Sequence, residues 1–221
     1  MKIYHDNIGE VQLIDWMGDD KRAVNAARVS FLKDDLGSSE LTSRDEKLIR
    51  FLVNHRHTSP FEHMYATFRI KCPLFVRAQI MRHRTFSYNE VSRRYTDEEI
   101  EFYLPEYLYK QADKNLQCSS DERLENEYIL KGIYKHSTEA SFESYQILLD
   151  NGVSRESARM VLPQNLYTTF WMSGNLHNFL KFLSLRLDEH VQYETVRVAQ
   201  GIEDLLRQRF PVTLDAFSIN K

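Results

Sequence analysis

The chain has 221 residues, 42% hydrophobic and 28% charged, with a formal net charge of −3. That length suits one domain, residues 1–221, with a sizeable core. The charge excludes a protein that binds polyanions over its whole surface, so any phosphate must meet a local basic cluster.

In chain order, the N-terminal stretch is acidic and lacks the apolar centre of a signal peptide. Residues 11–15 alternate apolar and polar, which predicts a half-buried strand, and 19–28 reads as a helix. SRDE at 43–46 has the spacing of a capping box, and Leu48, Ile49, Leu52 and Val53 form a helical stripe behind it. In HRHTSPFEH, residues 55–63, Ser59 as N-cap, Pro60 at N1 and Glu62 at N3 predict a helix start. This is either a well-capped turn or an anion contact through free backbone N–H groups. Residues 67–72 alternate strictly and predict a strand ended by Pro73. The spacing predicts a helix over 74–83 and a polar loop over 84–98.

Two long helices are expected further on. The first covers 122–150, with Ile129, Ile133, Ala140 and Ile147 on one face and Asn151-Gly152 as its stop. The second covers 175–195, with Leu176, Leu180, Leu183, Leu187 and Val191 at helical spacing. Between them, 154–172 is expected to be a helix that Pro163 kinks or breaks. No run reaches the roughly 18 apolar residues of a membrane span. The fold class expected is α+β: a helix-rich domain with a small central sheet flanked by long helices. The 13 Phe and 12 Tyr exceed what such a core needs and suit ring-shaped ligands or a subunit interface.

The densest chemistry lies at 77–95. Arg77, Arg82, Arg84, Arg93 and Arg94 stand there with His83, against the single acid Glu90. Gln79, Ser87, Asn89 and Ser92 intersperse them. Guanidinium forks beside hydroxyls suit a phosphate, and Glu90 suits a ribose hydroxyl. A solvated charged loop and an RNA-binding module built on the arginines and aromatics of 82–95 are the alternatives. His55, His57, Glu62 and His63 match no zinc spacing, so no metal is expected. Arg159 is the one charge in the run 158–170, and either an internal ion pair or an anionic ligand would satisfy it. On a helix Asn175 and Arg186 share a face roughly 16 Å long, fit for an elongated ligand or for a core helix with a snorkelling arginine. The two cysteines, Cys72 and Cys118, suit a reducing, cytoplasmic setting, and neither has a base nearby in sequence to make it a nucleophile.

Arg82-His83-Arg84, followed by seven residues and then Ser92-Arg93-Arg94, is similar to the signature of the flavin-dependent thymidylate synthases. The flanking blocks SPFEH, ARVSF at 27–31, ARMVLP with NLYT, and NFL with LR and DEH resemble the same family, over roughly 10–100 and 150–215. The stretch 103–125 is the least similar to that family. What this implies is a homotetramer with active sites shared between subunits. It implies bound FAD, NADPH as reductant, and 5,10-methylenetetrahydrofolate as carbon donor, with dUMP converted to dTMP. By resemblance FAD would be met by Ser30, His57, Ser59, Arg82, His83, Arg84, Glu90, Asn175, His177 and Lys181. His177 and Lys181 depart from the Arg and Asn that some members carry there. The nucleotide would be met by Gln79, Arg82, Glu90, Val91, Ser92, Arg93, Arg94, Arg159 and Arg186. The family needs no enzyme nucleophile, and Arg186 would face N3 and O4 of the uracil and stabilise charge developing there.

Overall fold

The computed structural model describes residues 1–35 and 37–218. Strand β1 (Glu10–Met17) leads into helix α1 (Asp20–Arg28), capped by the Asp19 side chain, which accepts from the Arg22 N–H. Helix α2 is Ser43–Asn54, with Ile49 and Leu52 buried. Its capping box lies one residue earlier than expected. Thr42 is the N-cap, and the Asp45 carboxylate, not Glu46, reaches back to the Thr42 N–H. Residues Ser59–His63 make a 3-10 turn preceded by Thr58 with no side-chain cap bond, so Ser59 is not an N-cap.

Strand β2 (Tyr65–Pro73) follows, then α3 (Leu74–Ile80), shorter than expected. The polar segment after it is not all loop, because Ser87–Glu90 is strand β3. Strands β4 (Tyr109–Gln111) and β5 (Ser119–Arg123) form a hairpin whose last two residues, 122–123, were expected to start a helix. Helix α4 accordingly begins later and covers Glu127–Asp150. Asn151 caps it and Gly152 takes φ +82, the left-handed stop that glycine favours.

The largest departure is at 154–172. Only Arg155–Ala158 (α5) is α-helical there, and Tyr167–Asn175 is strand β6. Threonine and aromatic residues fit a pleated surface better than a helix, and Phe170 and Met172 are buried where Trp171 between them is exposed. The expected long helix over 175–195 is two helices, α6 (Leu176–Arg186) and α7 (Tyr193–Arg207). The break is an Asp turn in which the Asp188 carboxylate accepts from the His190 N–H at 2.9 Å. Helix α8 (Pro211–Ser218) completes the described chain.

The sheet is antiparallel, in the order β1-β2-β6-β3. Phe68, Ile70 and Cys72 of β2 and Phe170 and Met172 of β6 are buried in one core with residues of α6 and α7. Phe68 meets Phe179 of α6 at 5.2 Å between ring centres. The other face carries exposed Tyr65 and Trp171, with exposed Val91 just beyond β3. The predicted stripe on α4 also faces outward: Ile129, Ile133 and Ile147 are exposed, while Thr138 and Tyr145 face inward. Among the described residues no helix is long and apolar enough to cross a membrane.

Candidate active site

Helices α3 and α6 bring the first group of candidates together. Arg186 is the last residue of α6. Its Nε donates to His83 Nε2 at 2.9 Å, and its Nη2 donates to the Gln79 carbonyl at 2.9 Å. The Gln79 side chain is held in turn by α7 and the residue before it. Its Oε1 accepts from the Thr195 hydroxyl at 3.2 Å and its Nε2 donates to Gln192 Oε1 at 2.6 Å. Thr195 and Gln192 lie more than a hundred residues away in sequence, and no local signal marks them.

His83 is seated by its surroundings. Tyr88 Oη donates to the His83 carbonyl at 3.0 Å, and the Phe182 ring meets the imidazole edge-on at 4.9 Å. Burial, then the positive charges of Arg186 and Lys181, push the imidazole pKa down to about 4. His83 is therefore neutral near pH 7 and free to accept. Burial first, and Arg82 second, lower the pKa of Arg186 from its ordinary value. Arg82 and Lys181 thus belong to the same neighbourhood. Asn175 starts α6, its Oδ1 accepting from the Asn178 N–H at 2.9 Å, and Asn178 Nδ2 reaches the Thr85 carbonyl at 3.3 Å. His177 is half-buried in the first turn of the same helix.

The five arginines of 77–95 are not equivalent. Arg77 forms a two-point ion pair with Glu90 Oε2, with Nε at 2.9 Å, and the Thr168 hydroxyl donates to Glu90 Oε1 at 2.8 Å. Arg93 is buried and folds back on its own loop, donating to the carbonyls of Glu98 and Glu99. Among the described residues no carboxylate pairs with Arg82, Arg84, Arg94 or Arg159. Arg159 is exposed and makes no internal ion pair, one of the two partners expected for it, and Arg155 pairs with Asp97 at 3.2 Å. Ser92 Oγ accepts from the Arg94 N–H at 3.3 Å, and the Val91 N–H anchors this loop to the Thr169 carbonyl at 2.9 Å. A cavity of about 410 Å³ opens beside it, lined by Arg69, Lys71, Asn89, Val91 and Trp171 among others.

Ser30 and Ser59 lie in 3-10 turns and His57 in the segment before the second of them, and among the described residues no hydrogen bond joins them to the Arg186 group. The His57 ring lies nearly parallel to Phe51, 5.8 Å away, with His55 on the same ring at 4.1 Å. No group of three or more His, Cys, Asp or Glu among the described residues could hold a metal. Cys72 is buried near the end of β2, and burial pushes its thiol pKa up, so it is no nucleophile.

Known proteins share the sequence and the fold. The family described as thymidylate synthase complementing protein matches residues 12–212. A flavin-dependent thymidylate synthase of Thermus thermophilus is 44% identical over 95% of this chain and 75% of its own length. One from Thermotoga neapolitana is 42% identical over 98% of this chain and 94% of its own. Among solved structures, the UMP/dUMP methylase PolB of Streptomyces cacaoi bound with 5-Br dUMP superposes with a TM-score of 0.85. It is 34% identical, and the match covers 96% of this chain and 95% of that one. These matches give no support to an RNA-binding loop at 82–95, which is in part a sheet strand. The chain belongs to the thymidylate synthase complementing family, the flavin-dependent thymidylate synthases.

Proposed function

We propose that the uracil of dUMP is activated at Arg186, with no enzyme nucleophile. The reaction is that of the family: the chain is a flavin-dependent thymidylate synthase, a methyltransferase that turns dUMP into dTMP. It uses FAD, with NADPH and 5,10-methylenetetrahydrofolate as co-substrates. The observation that carries the assignment is the hold on Arg186. Its guanidinium is half-buried and bound to a neutral imidazole and a carbonyl, with no carboxylate partner among the described residues. Its positive charge is therefore unspent, and a fixed cation in a site shielded from water stabilises charge developing on the uracil oxygens.

The residues present also fit the cofactor. Arg82 and Arg84 offer guanidinium groups that no carboxylate of the described chain neutralises, the donor chemistry that a pyrophosphate takes. When bound, the flavin supplies the hydride that completes reduction of the transferred carbon to a methyl group. Ser30, His57, Ser59, Glu90, Asn175, His177 and Lys181 are proposed for the same cofactor, with His83 turned to Arg186. Ser92, Arg94 and Arg159 hold the nucleotide phosphate, with Gln79 and Val91 beside the base and sugar. Arg93 supports them by fixing the loop rather than by touching the phosphate. Assembly as a homotetramer is supported by two uncovered apolar surfaces, the outer sheet face at Tyr65 and Trp171 and the α4 stripe at Ile129 and Ile133. A cytoplasmic setting fits the free thiols of Cys72 and Cys118.

The test is direct. Purified protein should show flavin absorbance that bleaches when NADPH is added without oxygen. With dUMP labelled at C5 and the folate present, tritium should be released. A protein that takes up no added FAD and releases no tritium would overturn the reading.

A further inference from the structure

Arg186 is not held in the way arginines usually are. A carboxylate partner would match its fork and also cancel its charge. Here the partners are an imidazole nitrogen and a main-chain carbonyl. We propose that His83 is the positioning residue for Arg186, its Nε2 accepting from the guanidinium so that the cation is aimed without being neutralised. This rests on the reading of Arg186 as the group that polarises uracil.

The geometry assigns each part a task. His83 lies in the turn just beyond α3, where its N–H bonds to the Ile80 carbonyl at 3.1 Å. Tyr88 fixes the backbone of that turn from β3, through the carbonyls of Ile80 and His83. Phe182, one helical turn before Arg186 on α6, fixes the ring plane. The imidazole is therefore held from two elements before it meets Arg186. For Nε2 to accept from the guanidinium, the ring proton must sit on Nδ1. Two of the guanidinium N–H groups are used, on His83 and Gln79, which leaves others to face a ligand. Burial first, and then the charges of Arg186 and Lys181, keep His83 unprotonated; a protonated ring would leave Arg186 Nε without an acceptor and place a second cation against it.

The experiment compares His83→Gln, His83→Asn and His83→Leu, with all rates normalised to bound flavin. The Gln side chain can place an oxygen near the Nε2 position. The Asn oxygen stops at the Nδ1 position, and Leu offers none. Turnover, read as tritium release from C5-labelled dUMP, should fall about 30- to 100-fold in His83→Leu and His83→Asn, in the range of a lost electrostatic contact. The KM for dUMP should stay within about threefold, and His83→Gln should recover most of the loss. Because His83 acts through Arg186, His83→Leu combined with Arg186→Ala should be little slower than Arg186→Ala alone. The proposal fails if His83→Leu keeps wild-type turnover, if His83→Gln is as slow as His83→Leu, or if the double variant loses the product of both factors. A fully active Arg186→Ala would instead overturn the reading of Arg186 itself, which keeps the two failures apart.

Discussion

At the scale of single residues, charge in this protein is used in two opposite ways. Asp45 is almost fully buried, and burial alone would raise its pKa. The Thr42 N–H, Lys21 and Arg28 outweigh that and hold the carboxyl at about 2, below the ordinary aspartate value of 3.8. Its folded-state pKa is depressed, so its contribution to stability is fully present above pH 3.8 and is lost as pH falls toward about 2. Asp45→Ala leaves Lys21 buried beside no acid and should cost about 3–5 kcal/mol, read from urea melts at pH 7. The difference from wild type should shrink in melts taken as the pH falls below 3.8. Arg186, by contrast, has no carboxylate among the described residues. Arg82, Arg84, Arg94 and Arg159 are also without one, and the resemblance placed all of them on ligands, together with Arg93, which here donates to the carbonyls of its own loop. The two that are internally satisfied, Arg77 and Arg93, do structural work instead. Spacing alone could not separate these groups, because Glu90 finds Arg77 through the sheet and Arg93 finds the carbonyls of its own loop.

At the scale of elements, the segments with a clean period were legible. Residues 11–15, 19–28 and 67–72 are found as β1, α1 and β2, and the Asn151-Gly152 stop holds. The central strand β6 was not legible. It is covered by helices on one face only and paired on both edges, and its threonines and aromatics blur the alternation. The single break between α6 and α7 depends on an Asp turn inside an otherwise helical leucine pattern. Yet β6 positions the site, since it ends at Asn175, the cap of α6, and α6 ends at Arg186. Close packing at this junction depends on Gly174. A Cβ there would lie 2.5 Å from the Phe86 ring, and Phe86 packs against Phe179 at 4.7 Å and Phe182 at 6.3 Å. Gly174→Ala should therefore cost about 1–3 kcal/mol by overpacking and disturb the Phe182 wall of His83. A lowered Tm with reduced turnover per bound flavin would show both effects, whereas an unchanged Tm would mean that Phe86 moves aside freely.

At the scale of the whole molecule, the residues proposed for the nucleotide lie on separate elements. Arg186, His83 and Gln79 meet where α3 and α6 converge. Ser92 and Arg94 lie on the loop beyond β3, and Arg159 lies after α5. Among the described residues no hydrogen bond or ion pair joins the first group to Arg94 or Arg159. The proposed assembly with shared sites would let a nucleotide meet Arg186 of one subunit and Ser92 and Arg94 of another. Such an arrangement has a consequence that one chain acting alone cannot produce. Arg186→Ala and Arg94→Ala should each be nearly inactive as pure proteins. When the two are unfolded together in equal amounts and refolded, random assembly puts an intact Arg186 opposite an intact Arg94 in about a quarter of the sites of a symmetric oligomer. Tritium release should then return to roughly that fraction of wild type. Refolding the variants separately and mixing them afterwards should give less, by an amount set by subunit exchange. If co-refolding restores nothing while both variants bind FAD and assemble normally, the uracil and phosphate groups belong to the same subunit, and the loop at 92–94 must move to reach Arg186.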